Sequence, residues 1–226
     1  MTIKLYELRG KDPKFLWSSN PWKARMCLNL KGIEFESIPL TYPEIHANLP
    51  NILHKDKGCT VPVLVDDENV IQDSFEIAQY VDKKFPGASI FQGNIALHEF
   101  IYNWFAEIKG TLFKLVILDI ADKLDDESKK YYIKKNTALY GDLKTAALKD
   151  RDENVKGIQK NLNLLFGNLK KNAFLSGETT GWTDITLASF LYMIKLANED
   201  VFNEAIASTD QELFKGWWNN MSKLLK

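Results

Sequence analysis

Three short stretches of this chain carry side chains suited to holding a small anionic molecule. The first is Ser18-Ser19-Asn20, directly ahead of Pro21-Trp22-Lys23. It joins a strand pattern to a helix pattern, and the free N–H groups and dipole at a helix start stabilise negative charge. A thiolate is such a charge. A cysteine-like thiol has a pKa of about 8.5, and a hydroxyl donating to the sulfur lowers it, because that bond favours the charged form. In this role a serine serves another molecule's nucleophile. The same residues are also ordinary helix caps, and the segment alone does not choose between the two.

The second stretch is Thr60-Val61-Pro62-Val63, after Gly58. Proline is tolerated at the first residue of a strand. With a cis Val61–Pro62 bond, the Val61 N–H and C=O would turn outward and could pair with an extended peptide; with a trans bond the segment only opens a strand. The third is Gln72-Asp73-Ser74. Ser74 at a helix start could hold a carboxylate through its N–H and hydroxyl, and Asp73 could accept from an α-amino group. Simple capping explains the pair equally well.

The elements that would position these groups follow from hydrophobic periodicity. Ile3 to Leu8 alternates like a strand. A helix pattern runs from Trp22 to Leu30, with Asn20 as the expected cap, Pro21 at the first helical position and Gly32 as the stop. Phe35 to Leu40 and Val61 to Val65 are strands, flanking a helix from Tyr42 to Leu53. Asp66 to Asn69 turns into Val70-Ile71, and Ser74 to Phe85 is a third helix ended by Pro86-Gly87. The order is βαβαββα, which makes the first two strands parallel and the last two an antiparallel hairpin. Strand patterns then cease. Helices are expected over 95–121, 127–148, 152–171, 184–196 and 211–225, with a linker near Pro86–Gln92.

Composition narrows the function classes. The chain has 226 residues, 29 basic and 30 acidic, for a net charge of −1. Such balance argues against nucleic acid or an anionic membrane as the main partner. Two cysteines and three scattered histidines offer no disulfide framework, CxxC pair or metal-binding cluster. The first residues lack the apolar core of a signal peptide, and no apolar run approaches a bilayer span, so the expected compartment is the cytoplasm.

Taken jointly, the serine at the first helix, Val61-Pro62 opening the third strand and Asp73-Ser74 opening the third helix resemble the cytosolic glutathione transferases of the serine type. Ser18-Ser19-Asn20-Pro21-Trp22-Lys23, Leu28-Asn29-Leu30-Lys31-Gly32-Ile33, Tyr42-Pro43-Glu44-Ile45 and Asp73 through Tyr80 are similar to the fungal etherase-type group, relatives of the bacterial β-etherases. The resemblance implies a thioredoxin-like α+β domain over 1–87, and an all-α domain over 88–226 that contributes a pocket for the electrophile. It implies glutathione as cosubstrate, a small hydrophobic electrophile or aryl ether as its partner, no metal, and a homodimer. Ser18 aligns with the activating serine, and Ser19 is the adjacent alternative. Ser19, Asn20, Val61, Pro62, Asp73 and Ser74 are the implied glutathione contacts, with Val61 pairing to the cysteinyl backbone. His46, His54, Lys55 and Lys57 are all candidates for the glycyl carboxylate. A non-catalytic ligand carrier or regulatory module on the same fold is the alternative. A thiol oxidoreductase would want a cysteine at the first helix, where none stands.

In the second half, Leu175-Ser176-Gly177-Glu178 and Trp182-Thr183-Asp184-Ile185 resemble the family's segment before its buried core helix. Asp184 stands as usual, but Gly181 replaces the Ser or Thr cap, at an expected cost of a few tenths of a kcal/mol. Tyr102, Trp104, Phe105 and Phe113 lie on the helix that borders the electrophile pocket in this family. Cys27, inside the first helix, reads as a buried structural residue.

Overall fold

Strand β1 (Ile3–Leu8) occupies an inner place in a four-stranded sheet of order β2 (Phe35–Leu40), β1, β3 (Val63–Asp66), β4 (Asn69–Gln72). The computed structural model describes residues 2–226, the Glu107 side chain excepted. Strand β2 (Phe35–Leu40) runs parallel to β1, with Ile3 opposite Phe35 and Leu8 opposite Leu40. A parallel pair needs a crossover, and helix α1 (Ser19–Leu30) supplies it. Helix α2 (Tyr42–Leu53) leads to β3 (Val63–Asp66), which pairs antiparallel with β1, and β4 (Asn69–Gln72) closes a hairpin with β3. Helix α3 (Ser74–Lys84) follows.

Ile3 and Leu5 point one way from β1 into the core, as strand alternation requires. Glu7 is also fully buried. Its carboxylate accepts from Arg25 Nε at 3.0 Å and Ser37 Oγ at 2.6 Å, so the charge enters the interior already paired.

The second half is helical: α4 (Ile95–Asp122), α5 (Asp126–Tyr140), α6 (Leu143–Leu148), α7 (Arg151–Phe166), a 3₁₀ segment (Gly167–Lys170), α8 (Trp182–Ala197), α9 (Glu199–Ile206) and α10 (Gln211–Ser222). Helix α8 is buried on nearly every side, as its all-round apolar sequence predicts. It packs against α1, α4 and α9 and so joins the two halves. At that junction Trp22 meets Tyr192 edge-on, with centroids 4.7 Å apart.

Asp184 anchors the start of α8. Fully buried, it accepts from Leu175 N at 2.8 Å, Ser176 N at 3.0 Å, Gly181 N at 3.2 Å and Trp217 Nε1 at 2.8 Å. Half of a reciprocal cap is therefore present. A Cβ at Gly181 would lie 2.6 Å from Ser176 Oγ and 3.0 Å from Ile90 O. The missing cap side chain is thus a packing requirement, and any larger residue would cost more than the capping scale suggests.

Several boundaries differ from the sequence expectation. The helix expected over 127–148 is two, broken at Gly141, whose φ of 73° stops α5, while the Asp142 side chain accepts from Thr145 N at 2.8 Å to start α6. Helix α7 ends at Phe166 and tightens into the 3₁₀ segment. Helix α10 ends at Ser222 rather than Leu225. Helix α9 was not anticipated. Asn198 closes α8, and its side chain accepts from Asp200 N and Val201 N to open α9 at once. Strand β3 begins at Val63, which leaves Val61 and Pro62 outside the ladder.

Candidate active site

Helix α1 starts two residues earlier than its sequence pattern indicates. Ser18, not Asn20, is the N-cap residue, and Ser19 is the first helical residue. Pro21 is tolerated there because the first four N–H groups of a helix have no intrahelical partner for its ring to displace. The loop is held by Trp17, which is buried 5.8 Å edge-on from Tyr132, and by Trp22 Nε1, which donates to Leu16 O at 2.5 Å. The Ser18 side chain makes no capping hydrogen bond. Its hydroxyl is therefore not spent on the helix, which removes the plainest alternative explanation for a serine at this position.

Two adjoining clefts meet at Ser18. The smaller, about 200 Å³, is lined by Ser18, Asn20, Cys59, Thr60, Val61 and Asp73, with Tyr42 and His46 from α2 and Tyr131 and Lys135 from α5. The larger, about 330 Å³, is walled by Trp17, Ser19, Phe113, Tyr132, Tyr140 and Phe190, with Lys109 from α4 and Asn136 from α5. Ser18, Asn20, Tyr42 and Lys135 border both. A polar site thus opens into an aromatic one, with a hydroxyl at the junction.

The Val61–Pro62 bond is cis. Neither the N–H nor the C=O of Val61 enters a backbone hydrogen bond among the described residues. Asp73 N donates to Pro62 O at 3.3 Å, which ties the second stretch to the third. Asp73 has a φ of 88°, rare for a residue with a Cβ. Its Oδ1 accepts from Phe75 N at 2.7 Å and Glu76 N at 3.4 Å, capping α3 and holding the carboxylate against the smaller cleft. Ser74 and Pro62 are buried and line neither cleft. Ser19 is buried as well and borders only the larger one.

Of the four basic residues proposed for a glycyl carboxylate, His46 alone lines a cleft. His54 ends α2 in the left-handed conformation, Lys55 donates to Gln72, and Lys57 is exposed away from both. Sequence reading did not single out Lys109, Lys135, Tyr42 or Tyr131. Helix α5 carries Lys129, Lys130, Lys134 and Lys135, and nothing in its sequence marks the one that faces inward. Of the four aromatic residues proposed for the electrophile pocket, only Phe113 lines the larger cleft. Tyr102, Trp104 and Phe105 instead surround a space of about 10 Å³ inside the helical half, beside His98 and Thr183. Phe105 turns that way because α8 draws its side of α4 into the core, where it packs 5.1 Å from Phe190; Trp104 stays exposed at the edge.

Burial sets the protonation states. Lys23 is fully buried, and its pKa lies well below the usual lysine value, through desolvation first and the nearby Lys109 second. Its Nζ donates to Asn20 Oδ1 at 2.9 Å and stands 4.7 Å from the Tyr102 ring centre. Burial also lowers Lys109 and raises the hydroxyls of Tyr42 and Tyr132, so both tyrosines stay protonated near neutrality. Burial pushes the Cys27 thiol upward, which makes it a poor thiolate, as expected of a structural residue. Among the described residues no group of three His, Cys, Asp or Glu side chains could hold a metal ion, and no helix is long and apolar enough to cross a membrane.

Residues 17–84 match the model of the glutathione S-transferase N-terminal domain, and residues 96–224 match that of the C-terminal domain. The glutathione S-transferase-like protein ustS of Aspergillus flavus is 25% identical over 229 residues, covering 90% of this chain and 83% of that protein. Glutathione transferase GSTFuA2 of Phanerochaete chrysosporium superposes with a TM-score of 0.86 at 22% identity, covering 100% of this chain and 99% of that one. Glutathione S-transferase CsGST83044 of Ceriporiopsis subvermispora, solved in complex with glutathione, gives 0.84 at 20% identity, covering 100% and 98%. With both domain models matched in order and the whole length superposed on solved members, the chain belongs to the glutathione S-transferase family.

Proposed function

We propose that this protein binds glutathione in the smaller cleft, activates its thiol with Ser18, and delivers it to a hydrophobic electrophile or aryl ether in the larger one. The carrying observation is the position of Ser18: its hydroxyl is unused by the helix and borders both clefts. The cysteinyl backbone pairs with the free N–H and C=O of Val61, beside Pro62. Asp73 accepts from the γ-glutamyl ammonium, and the positive end of the α3 dipole, beginning at Ser74, favours the γ-glutamyl carboxylate nearby. Asn20 and Ser19 complete the wall around the sulfur. His46, on the wall of the smaller cleft, receives the glycyl carboxylate. Residues 1–87 form the glutathione-binding domain, and residues 88–226 supply the second substrate's wall.

The thiol proton leaves to water, and the Ser18 hydroxyl donates to the resulting thiolate. The sulfur then forms a bond to the electrophilic carbon while the bond to the leaving group breaks, that group departing with the electron pair. In an aryl ether the leaving group is an aryloxide. Catalysis comes from the lowered thiol pKa and from orienting two substrates across one junction.

Calorimetric titration with glutathione, followed by kinetics of Ser18→Ala on a model aryl halide, tests this reading. Binding within a few-fold of the parent and a loss of about 10–100-fold in kcat near neutral pH are expected, the worth of one hydrogen bond to a charged group. No heat of binding, or an unchanged rate in the variant, would remove the basis for it. Binding without turnover across a panel of electrophiles would leave a ligand carrier.

A further inference from the structure

The larger cleft combines an aromatic wall with two lysines. Lys109 is half-buried, its Nζ 5.1 Å from the Phe190 ring centre. Lys135 stands exposed on the rim that both clefts share. Neither forms an ion pair among the described residues, and no described residue lining this cleft carries a carboxylate. Desolvation and repulsion from Lys135 both act against the charge on Lys109, while Asp73, on the wall of the other cleft, favours it.

A neutral apolar ligand would complete the desolvation of Lys109 and return nothing for it. An acidic group on the ligand would supply the missing counter-charge, in surroundings where a charge-assisted hydrogen bond is stronger than in water. Phe113 and Tyr140, partly exposed on that wall, would flank a ring while the ammonium meets its substituent. We propose that the second substrate is an anionic aromatic, its carboxylate held by Lys109 with Lys135 adding to the positive field at the rim. This rests on the glutathione reading above and narrows its substrate class.

The test is calorimetric titration of glutathione-saturated protein with two unreactive probes, 3-nitrobenzoate and 3-nitrobenzamide. They share a ring and differ in charge, and binding does not depend on turnover. The benzoate should bind at least about tenfold tighter, the scale of one charged hydrogen bond. Lys109→Glu should erase or reverse that ratio, and Lys109→Arg should retain it, which separates charge from any disturbance of packing. A ratio near one in the parent protein, or an unaltered ratio in a folded Lys109→Glu variant, would overturn the assignment of charge while leaving glutathione binding intact. Absence of glutathione binding in the first step would instead overturn the parent reading, and this inference with it.

Discussion

Lys23 Nζ lies 2.9 Å from Asn20 Oδ1, one turn back along α1, with the lysine wholly removed from solvent. The bond fixes the amide of a residue that borders both clefts. Its cost is a buried amine. Because Lys23 titrates below the unfolded-chain lysine value, the unfolded chain holds more protons between those two pKa values, and stability contributed by this site rises with pH across that window. Lys23→Met removes the penalty. Its melting temperature should exceed the parent's by about 2–4 °C near pH 7, as for a change of about 1 kcal/mol in a chain of this size, with the gap narrowing toward pH 10. Thermal melts over that range would read it; a gap that widens with pH contradicts the assignment.

Asp184 holds four donors from three places in the chain, three of them buried. Replacing it with Ala strands all of them at once. Asp184→Ala should cost about 3–5 kcal/mol, from several N–H donors left without an acceptor at about 1–3 kcal/mol each. Asp184→Asn should cost less, since one amide oxygen can still accept. Urea unfolding of the two variants would rank them.

Gly181 and Ser176 are a coupled pair. Gly181→Ser restores the usual capping residue yet drives its Cβ into Ser176 Oγ, which is itself buried without a partner. The single change should destabilise by about 1–3 kcal/mol, as overpacking does. In a Ser176→Gly background much of that cost should vanish. A double-mutant cycle with no coupling energy would show that the clash is relieved elsewhere.

Much of the architecture was legible because local signals agreed with tertiary demand. Strand β2 and helix α2 have the bounds their periodicity indicates. The breaks at Gly141 and Asn198 were missed although their signals are present: a glycine stop followed by an aspartate cap, and an asparagine that ends one helix and opens the next. The three chemical stretches do come together, since Ser18, Val61 and Asp73 line one cleft. The second wall was not legible. Lys109 and Lys135 are ordinary residues on lysine-bearing helices, and only the packing of α5 against α4 and α2 brings them to the site. Likewise Tyr102 and Phe105 look identical in sequence context to Phe113, and only the position of α8 sends them to the core.

The pKa of the glutathione thiol in the complex, followed through the ultraviolet absorbance of the thiolate, is the most direct probe of the central claim. In the parent protein it should fall at least about one unit below the free value near 8.5, and Ser18→Ala should move it back by about one unit. A bound thiol that titrates as it does in water, or a lowered value untouched by the loss of the Ser18 hydroxyl, would contradict the role given to that residue.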